Sequence, residues 1–344
     1  MDILSDVLNV VRLNGGAFYT AEFTSPWAVF TPPADELAIL MGTRAESVAV
    51  FHIFVEGECW ISLKGTKPFP LSAGSAIIFS HSPSHELASK PGLNPEPIIS
   101  LLTYPEGAAI PAIRHGGGGT LTRFFCGYLQ CNHRFNPLIG ALPALIIATP
   151  DDQIARTIPA PHDADGAETP YAPRCVVLST GDEWLKKTVA HLVDEAFDSR
   201  PGTPAMLKRL VEMFYVEVLR RYISRASLAE AGWFAAMNDI EVGRALRMLH
   251  AEPARKWTVD ELAAGVGISR AVLAQRFTAL AGESPMHYLT NWRMQMAKDL
   301  ILQGNLSLAQ IAEQIGYESE VAFNRAFKRE IGAPPGAWRD SYIA

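Results

Sequence analysis

A chain of 344 residues, 48% hydrophobic and 19% charged, with a formal net charge of −6, has the makeup of an ordinary globular protein of two or three domains. That excludes a disordered tail, a collagen-like repeat and a disulfide-stapled miniprotein. Four cysteines, Cys59, Cys126, Cys131 and Cys175, form no CxxC pair and read as buried or free thiols of a reducing compartment. The opening MDILSDVLNVVRLNGG carries acids where a secretion signal needs bases, and no apolar run reaches about 18 residues. The expected location is the cytoplasm, with no membrane partner. From Asp239 to Ala344 there are 12 bases and 12 acids, so net charge cannot identify a polyanion binder there and the placement of charges must decide.

From about residue 15 to 115 the chain reads as short strands broken by turns. AFYTAEF, SVAVFHIFVEGECWISL, SAIIFS and PIISLLTY are rich in Val, Ile, Phe and Tyr, with Gly/Pro punctuation between them. That pattern suggests an all-β sandwich or barrel. Gly116–Gly119 reads as a flexible connection, FFCGYLQCNHRFNPLIGALPALIIATP as a final strand and short turn, and 151–174 as a loop. Two amphipathic helices follow. One sets Trp184, Leu185, Val189, Leu192, Val193 and Phe197 at helical spacing; the other sets Met206, Leu207, Leu210, Phe214, Val218 and Leu219 likewise. Their apolar stripes fit either a β-domain or a second subunit.

The last hundred residues contain one unit used twice. WTVDELAAGVGISRAVLAQRFTALAGESPMHYL matches LSLAQIAEQIGYESEVAFNRAFKREIGAPPGAW after a single inserted residue. Each copy opens on a hydroxyl, Thr258 or Ser307, with Glu261 or Gln310 three residues on, the pattern of a capping box. A short helix, a turn glycine (Gly267 or Gly316) and a second cap (Ser269 or Ser319) follow. Short helix, glycine turn and capped helix is the layout of a helix-turn-helix, whose second helix enters the major groove.

In the first recognition helix Leu273 and Phe277 face the core, leaving Arg270, Ala271, Ala274 and Gln275 for DNA. In the second Phe323 and Phe327 face the core, leaving Glu320, Val321, Asn324, Arg325 and Lys328. Arg, Asn and Gln make bidentate contacts with base edges. Arg276, Arg329 and Arg339 are placed to meet phosphates, which position without specifying.

GYESEVAFNRAFKREIGAPPGAWR resembles the signature of the AraC/XylS family of bacterial transcription regulators, and the likeness runs from about Ile240 to Arg339. It implies DNA contacts from the helices that start at Ser269 and Ser319, spaced by the connecting helix MHYLTNWRMQMAKDLILQG. Ala271 and Ala274 are smaller than the side chains often found there, which shifts the first helix toward shape or methyl recognition. FHIFVEGECWISLKG and LSAGSAIIFSHSPSHEL resemble the two motifs of cupin sensor domains. Metal cupins bring two His and a Glu from the first motif and one His from the second. Here only His52, Glu56 and His85 stand in those places, so the resemblance implies an effector pocket more than a metal site or an enzyme. Cys131 and His133, with Cys126 on the opposite side of any strand, are the remaining candidates for a metal or a redox-sensing thiol.

The expected architecture is α+β and multidomain: a cupin-like β-barrel over 1–150, a loop and helical linker used for dimerisation over 151–235, and an all-α tandem helix-turn-helix domain over 236–344. The expected function is a homodimeric regulator that binds double-stranded DNA under control of a small-molecule effector, with no catalytic residue and no required cofactor. A divalent metal at His52 and His85 and contact with RNA polymerase are held open. A metal- or thiol-based sensor and a cupin enzyme with a vestigial DNA domain are the rival readings.

Overall fold

Strand alternation organises the first part of the chain in a computed structural model that describes residues 3–10, 14–40, 47–64, 66–102, 110–131, 141–149, 175–179, 183–198, 200–225 and 232–343. The described residues divide into two units. The first is built on strands β1 (Asn14–Thr24), β2 (Ala28–Thr31), β3 (Ser47–Glu56), β4 (Glu58–Leu63), β5 (Phe69–Ser72), β6 (Ala76–Phe79), β7 (His85–Ala88), β8 (Glu96–Pro97), β9 (Ala112–Gly116), β10 (Leu121–Cys131), β11 (Leu145–Thr149) and β12 (Cys175–Ser179). One sheet runs β12-β11-β6-β3-β10-β1-β9 and the other β5-β4-β7-β2-β8. Most pairs are antiparallel; β1 with β9, β11 with β12 and β2 with β8 are parallel.

Side chains of period two fill the space between the sheets. Tyr19, Ala21 and Phe23 of β1, Val50 and Phe54 of β3 and Phe124 and Cys126 of β10 meet Val29, Ile61 and Leu87 of the smaller sheet in one core. The alternate residues Phe18, Phe51 and Phe125 form an aromatic cluster of their own, with ring centroids 5.6 to 6.3 Å apart. The larger sheet is therefore apolar on both faces. Helices Glu183–Phe197 and Thr203–Arg225 pack on each other and against β1, the first also on β3 and the second on β12. The region expected as a separate 151–235 linker thus contributes its helices to the β unit, because that second apolar face needs a cover.

Three further expectations are corrected. The described part of PIISLLTY is mostly not strand: Glu96 and Pro97 pair as β8, then Ile98–Leu101 makes a short helical turn, with Ile98, Ile99, Leu101 and Leu102 packed half-buried against the core. An unbroken apolar run has no period of two, and a turn lets all four touch the core. The glycine run at 116–119 is pinned. The amides of Gly117 and Gly118 donate to Thr24 O and Oγ1, and those of Gly119 and Thr120 to Ser25 O and Oγ. A Cβ on Gly116 would lie 1.9 Å from Thr24 O, so close backbone approach is what glycine supplies here. Finally, the stretch expected to hold one last strand contributes to two, β10 and β11, and β12 follows them in the chain. The loop expected over 151–174 lies outside the described residues.

The second unit joins the N-terminal helix α1 (Ile3–Val10) to the helices from Trp233 to Ile343. Ile3 and Val7 are buried, and α1 packs on helices Ile240–Ala251 and Pro285–Gln303. The opening residues whose acids argue against a secretion signal also place Ile3 and Val7 one helical turn apart, which is what seats this helix. Among the described residues no helix is long and apolar enough to cross a membrane.

Candidate nucleic-acid interface and sensor cavity

Both repeated units fold as their caps dictate. Thr258 accepts from the Glu261 amide while the Glu261 carboxylate accepts from the Thr258 amide, and Ser307 and Gln310 do the same. These reciprocal bonds satisfy donors that have no partner within the helix. Gly267 and Gly316 adopt φ of 83° and 88°. Ser269 then caps the helix Arg270–Ala281, and Ser319 caps Glu320–Ile331. Leu273 and Phe277, and Phe323 and Phe327, are the fully buried residues predicted to orient the two recognition helices. The connecting helix Pro285–Gln303 is capped by Ser284 and starts on a proline, whose missing amide costs nothing there.

The exposed residues of the two helices are not equivalent. Arg270 pairs with Asp260 at 3.2 Å on the surface. Arg276, expected at a phosphate, donates from Nε and Nη2 to Asp239 Oδ2 at 3.0 and 2.7 Å and lies 3.2 Å from Glu241. Asp239 is itself the cap of helix Ile240–Ala251, its other oxygen accepting from the amides of Glu241 and Val242. Ala271 and Gln275 are exposed and Ala274 is half-buried. On the second helix Glu320, Val321, Arg325, Lys328 and Arg329 are exposed. Arg329 pairs with its neighbour Glu330, and Arg339 with Asp340, while among the described residues Arg325 and Lys328 make no ion pair. Asn324 is half-buried, with its Oδ1 covered and without a hydrogen bond. Reasoning from sequence missed Val272, 46% exposed beside Ala271. An apolar residue there is suited to a thymine methyl, and its only signal was a helical position off the Leu273–Phe277 face.

In the β unit the two candidate histidines meet. His52 on β3 and His85 on β7 are 6% and 1% exposed, and their Nε2 atoms are 3.3 Å apart. His85 stacks on Phe79 with ring centroids 3.8 Å apart, and its Nδ1 is 3.0 Å from Pro83 O. Burial holds the His85 pKa down to about 4 and that of His52 well below the usual imidazole range, the latter also through its neighbour His85. Both rings are neutral at pH 7. His52 also borders a small, partly open pocket whose walls include Tyr19, Val50, Ile113, Cys126 and Tyr128.

Glu56 does not join them. It is exposed at the end of β3, 3.7 Å from Arg123, since four residues along a strand carry it about 13 Å from His52. Among the described residues no three His, Cys, Asp or Glu side chains gather as a metal site. Cys59 and Cys126 are buried and their thiols are pushed up, Cys126 to about 12, by desolvation. A thiolate is the reactive form, so neither is primed for oxidation. The side chain of Cys131 and all of His133 lie outside the described residues.

Comparison with known proteins covers both units. Residues 2–163 and 171–224 match the family model described as Cupin, and residues 262–341 the model described as Helix-turn-helix domain. An AraC-like transcription regulator of Streptomyces lividans is 29% identical over 343 residues, 98% of each chain. The RCS-specific HTH-type transcriptional activator RclR of Escherichia coli is 31% identical over 299 residues, 87% of each chain. The HTH-type transcriptional regulator AlkR of Acinetobacter baylyi is 25% identical over 342 residues, 98% of this chain and 99% of the relative.

Proposed function

Because this chain belongs to the AraC family of DNA-binding transcription regulators, joining a cupin domain to a helix-turn-helix domain, we propose that it reads its operator chiefly through the helix Glu320–Ile331 and is controlled by a small molecule held in the β unit. The observation that carries the first half is that, among the described residues, Arg325 and Lys328 make no ion pair on the exposed face of a helix whose core side is set by Phe323 and Phe327. A guanidinium with no carboxylate to leave is available for a guanine edge. Arg329 and Arg270 would exchange a surface carboxylate for phosphate, a small loss because exposed pairs contribute little. Arg276 would stay with Asp239.

The second half rests on the cavity beside His52. Two neutral imidazoles with no third metal-ligating side chain beside them among the described residues fit a binding pocket better than a catalytic metal centre, so we read the β unit as a sensor rather than an enzyme. We further read the protein as a cytoplasmic homodimer that meets RNA polymerase at its promoters. Trp184, Met206 and Met213 on the two long helices remain between 42% and 50% exposed, which supports self-association through that surface. Genomic DNA bound by the full-length chain tests the proposal. Aligned sites should share a recurring paired motif, and Arg325→Ala should erase preference at one or two of its positions. Bound DNA indistinguishable from random sequence would overturn it.

A further inference from the structure

A connecting helix fixes the distance between what is packed on its two ends, but not how one end is rotated against the other. In the DNA-binding unit a second joint, beside the helix Pro285–Gln303, removes that freedom. The loop 252–257 leads into Thr258, the cap of the first helix-turn-helix, and meets the turn 316–318 of the second. Arg293 reaches into this joint from the connecting helix. Its Nε donates to Pro253 O at 2.7 Å and its Nη2 to Arg255 O at 2.9 Å, while its guanidinium lies 5.7 Å from the centroid of the Tyr317 ring. Lys256 pairs with Glu318 across the same gap. Gly316 approaches so closely that a Cβ on it would lie 2.3 Å from Ala254 O. The loop is also tied to itself. The indole of buried Trp257 donates to Glu252 O at 3.0 Å, with the Arg255 guanidinium 4.0 Å from its ring centroid. A shift of the loop is therefore passed on to the helix that Thr258 caps.

Among the described residues Arg293 makes no ion pair, and two of its donors are committed to backbone carbonyls. A planar guanidinium holds two such acceptors in fixed directions, which a rotatable ammonium does not. Resting on the reading that both recognition helices meet DNA, we propose that Arg293 is a positioning residue. It locks the two helix-turn-helix units at one mutual rotation, so that the protein accepts a single spacing between the two DNA sub-sites they read. One added base pair moves a sub-site by about 3.4 Å and turns it by about 35° around the duplex. A locked pair of helices cannot follow both movements. A loosened pair follows them, with a lower effective concentration of the second helix at the correct spacing.

The test uses the full-length protein and a duplex carrying the two sub-sites of one protomer, taken from bound genomic DNA. Two further duplexes have one base pair inserted or removed between the sub-sites. Wild type should bind either altered duplex about tenfold or more weakly than the parent, the loss of one helix's base contacts. Arg293→Met keeps the apolar stem and removes the guanidinium, and should bring that spacing penalty down to about threefold or less. A residue that only supports the fold would lower affinity for all three duplexes alike and leave their ratios unchanged. Lys256→Glu sets two exposed acids against each other across the joint and should reduce the penalty in the same direction. It decides in place of Arg293→Met if that variant does not fold. Unchanged ratios in the deciding variant, or a wild type indifferent to spacing, would overturn the inference while leaving sequence-specific binding standing. So would an Arg293→Met protein that loses affinity for random DNA by the same factor, the mark of a phosphate contact. Should the wild type not prefer the parent duplex to random sequence, the DNA-reading proposal itself fails, and this inference with it.

Discussion

The two helix-turn-helix units share their caps, turn glycines and buried core pairs and differ in the packing around the turn and in which cations are paired. Thr258 with Glu261 and Ser307 with Gln310 close the same reciprocal bonds, and both turn glycines are left-handed. Yet a Cβ added at Gly267 would meet open space, whereas one at Gly316 would lie 2.3 Å from Ala254 O. The cations diverge in the same way. In the first unit Arg270 and Arg276 are held by carboxylates; in the second Arg329 is paired with Glu330, while among the described residues Arg325 and Lys328 make no ion pair. A repeat preserves what local folding demands, while the surfaces it presents are free to become structural in one copy and reading in the other.

The largest contrast should come from the glycines. Gly316→Ala adds a clash to left-handed strain and should lower stability by about 3 kcal/mol, against about 1 kcal/mol for Gly267→Ala. Urea unfolding of both variants measures the gap, and equal losses would show that the two turns are packed alike. Next, Arg276→Ala strips the partner from a carboxylate that is 8% exposed and should destabilise the fold by about 2 kcal/mol. Arg325→Ala should leave the unfolding midpoint in place and instead weaken specific DNA binding by about 1–3 kcal/mol. An Arg276→Ala protein that is fully stable but binds DNA poorly would return that residue to the reading surface.

Acid should strain both units. His250, in the DNA-binding unit, is buried, its ring stacked on Trp292 with centroids 4.3 Å apart and its Nε2 2.8 Å from Tyr288 Oη, and burial lowers its pKa to about 4. His85 in the β unit is shifted to about the same value. Each stays neutral when folded while the unfolded ring protonates below about 6.5. Stability is therefore fully present above that pH and falls as pH drops toward 4, by about 1.4 kcal/mol per pH unit for each histidine. Denaturation midpoints at pH 7 and 5.5 should show the loss, and His250→Gln should reduce it. The smallest effect is expected at Arg329, where alanine should lower the salt slope of DNA binding by about one unit with base preference intact. A relaxed preference in that variant would mean that the second recognition helix is rotated from the orientation described.

Legibility followed the range of the interactions. The DNA-binding unit was readable residue by residue, since capping boxes, turn glycines and the Leu273–Phe277 and Phe323–Phe327 pairs act within one or two turns of chain. The strands of the β unit were readable where a period of two held and failed at Ile98–Leu101, where it did not. His52 and His85 could be named from motif positions, but Glu56 could not be excluded until the strand direction and its neighbour Arg123 were known.

By itself the sequence determined the tandem helix-turn-helix, its caps and its core sides, and the β-rich class of the first unit, because local hydrogen bonding and side-chain period are written in consecutive residues. Only the tertiary structure decided that helices Glu183–Phe197 and Thr203–Arg225 cover a sheet, that α1 packs into the DNA-binding unit, that Arg276 belongs to Asp239, and that two histidines 33 residues apart share one hydrogen bond. Each of those outcomes depends on which distant surface is left apolar, or which distant charge unpaired, and that is set by packing between elements rather than by spacing along the chain.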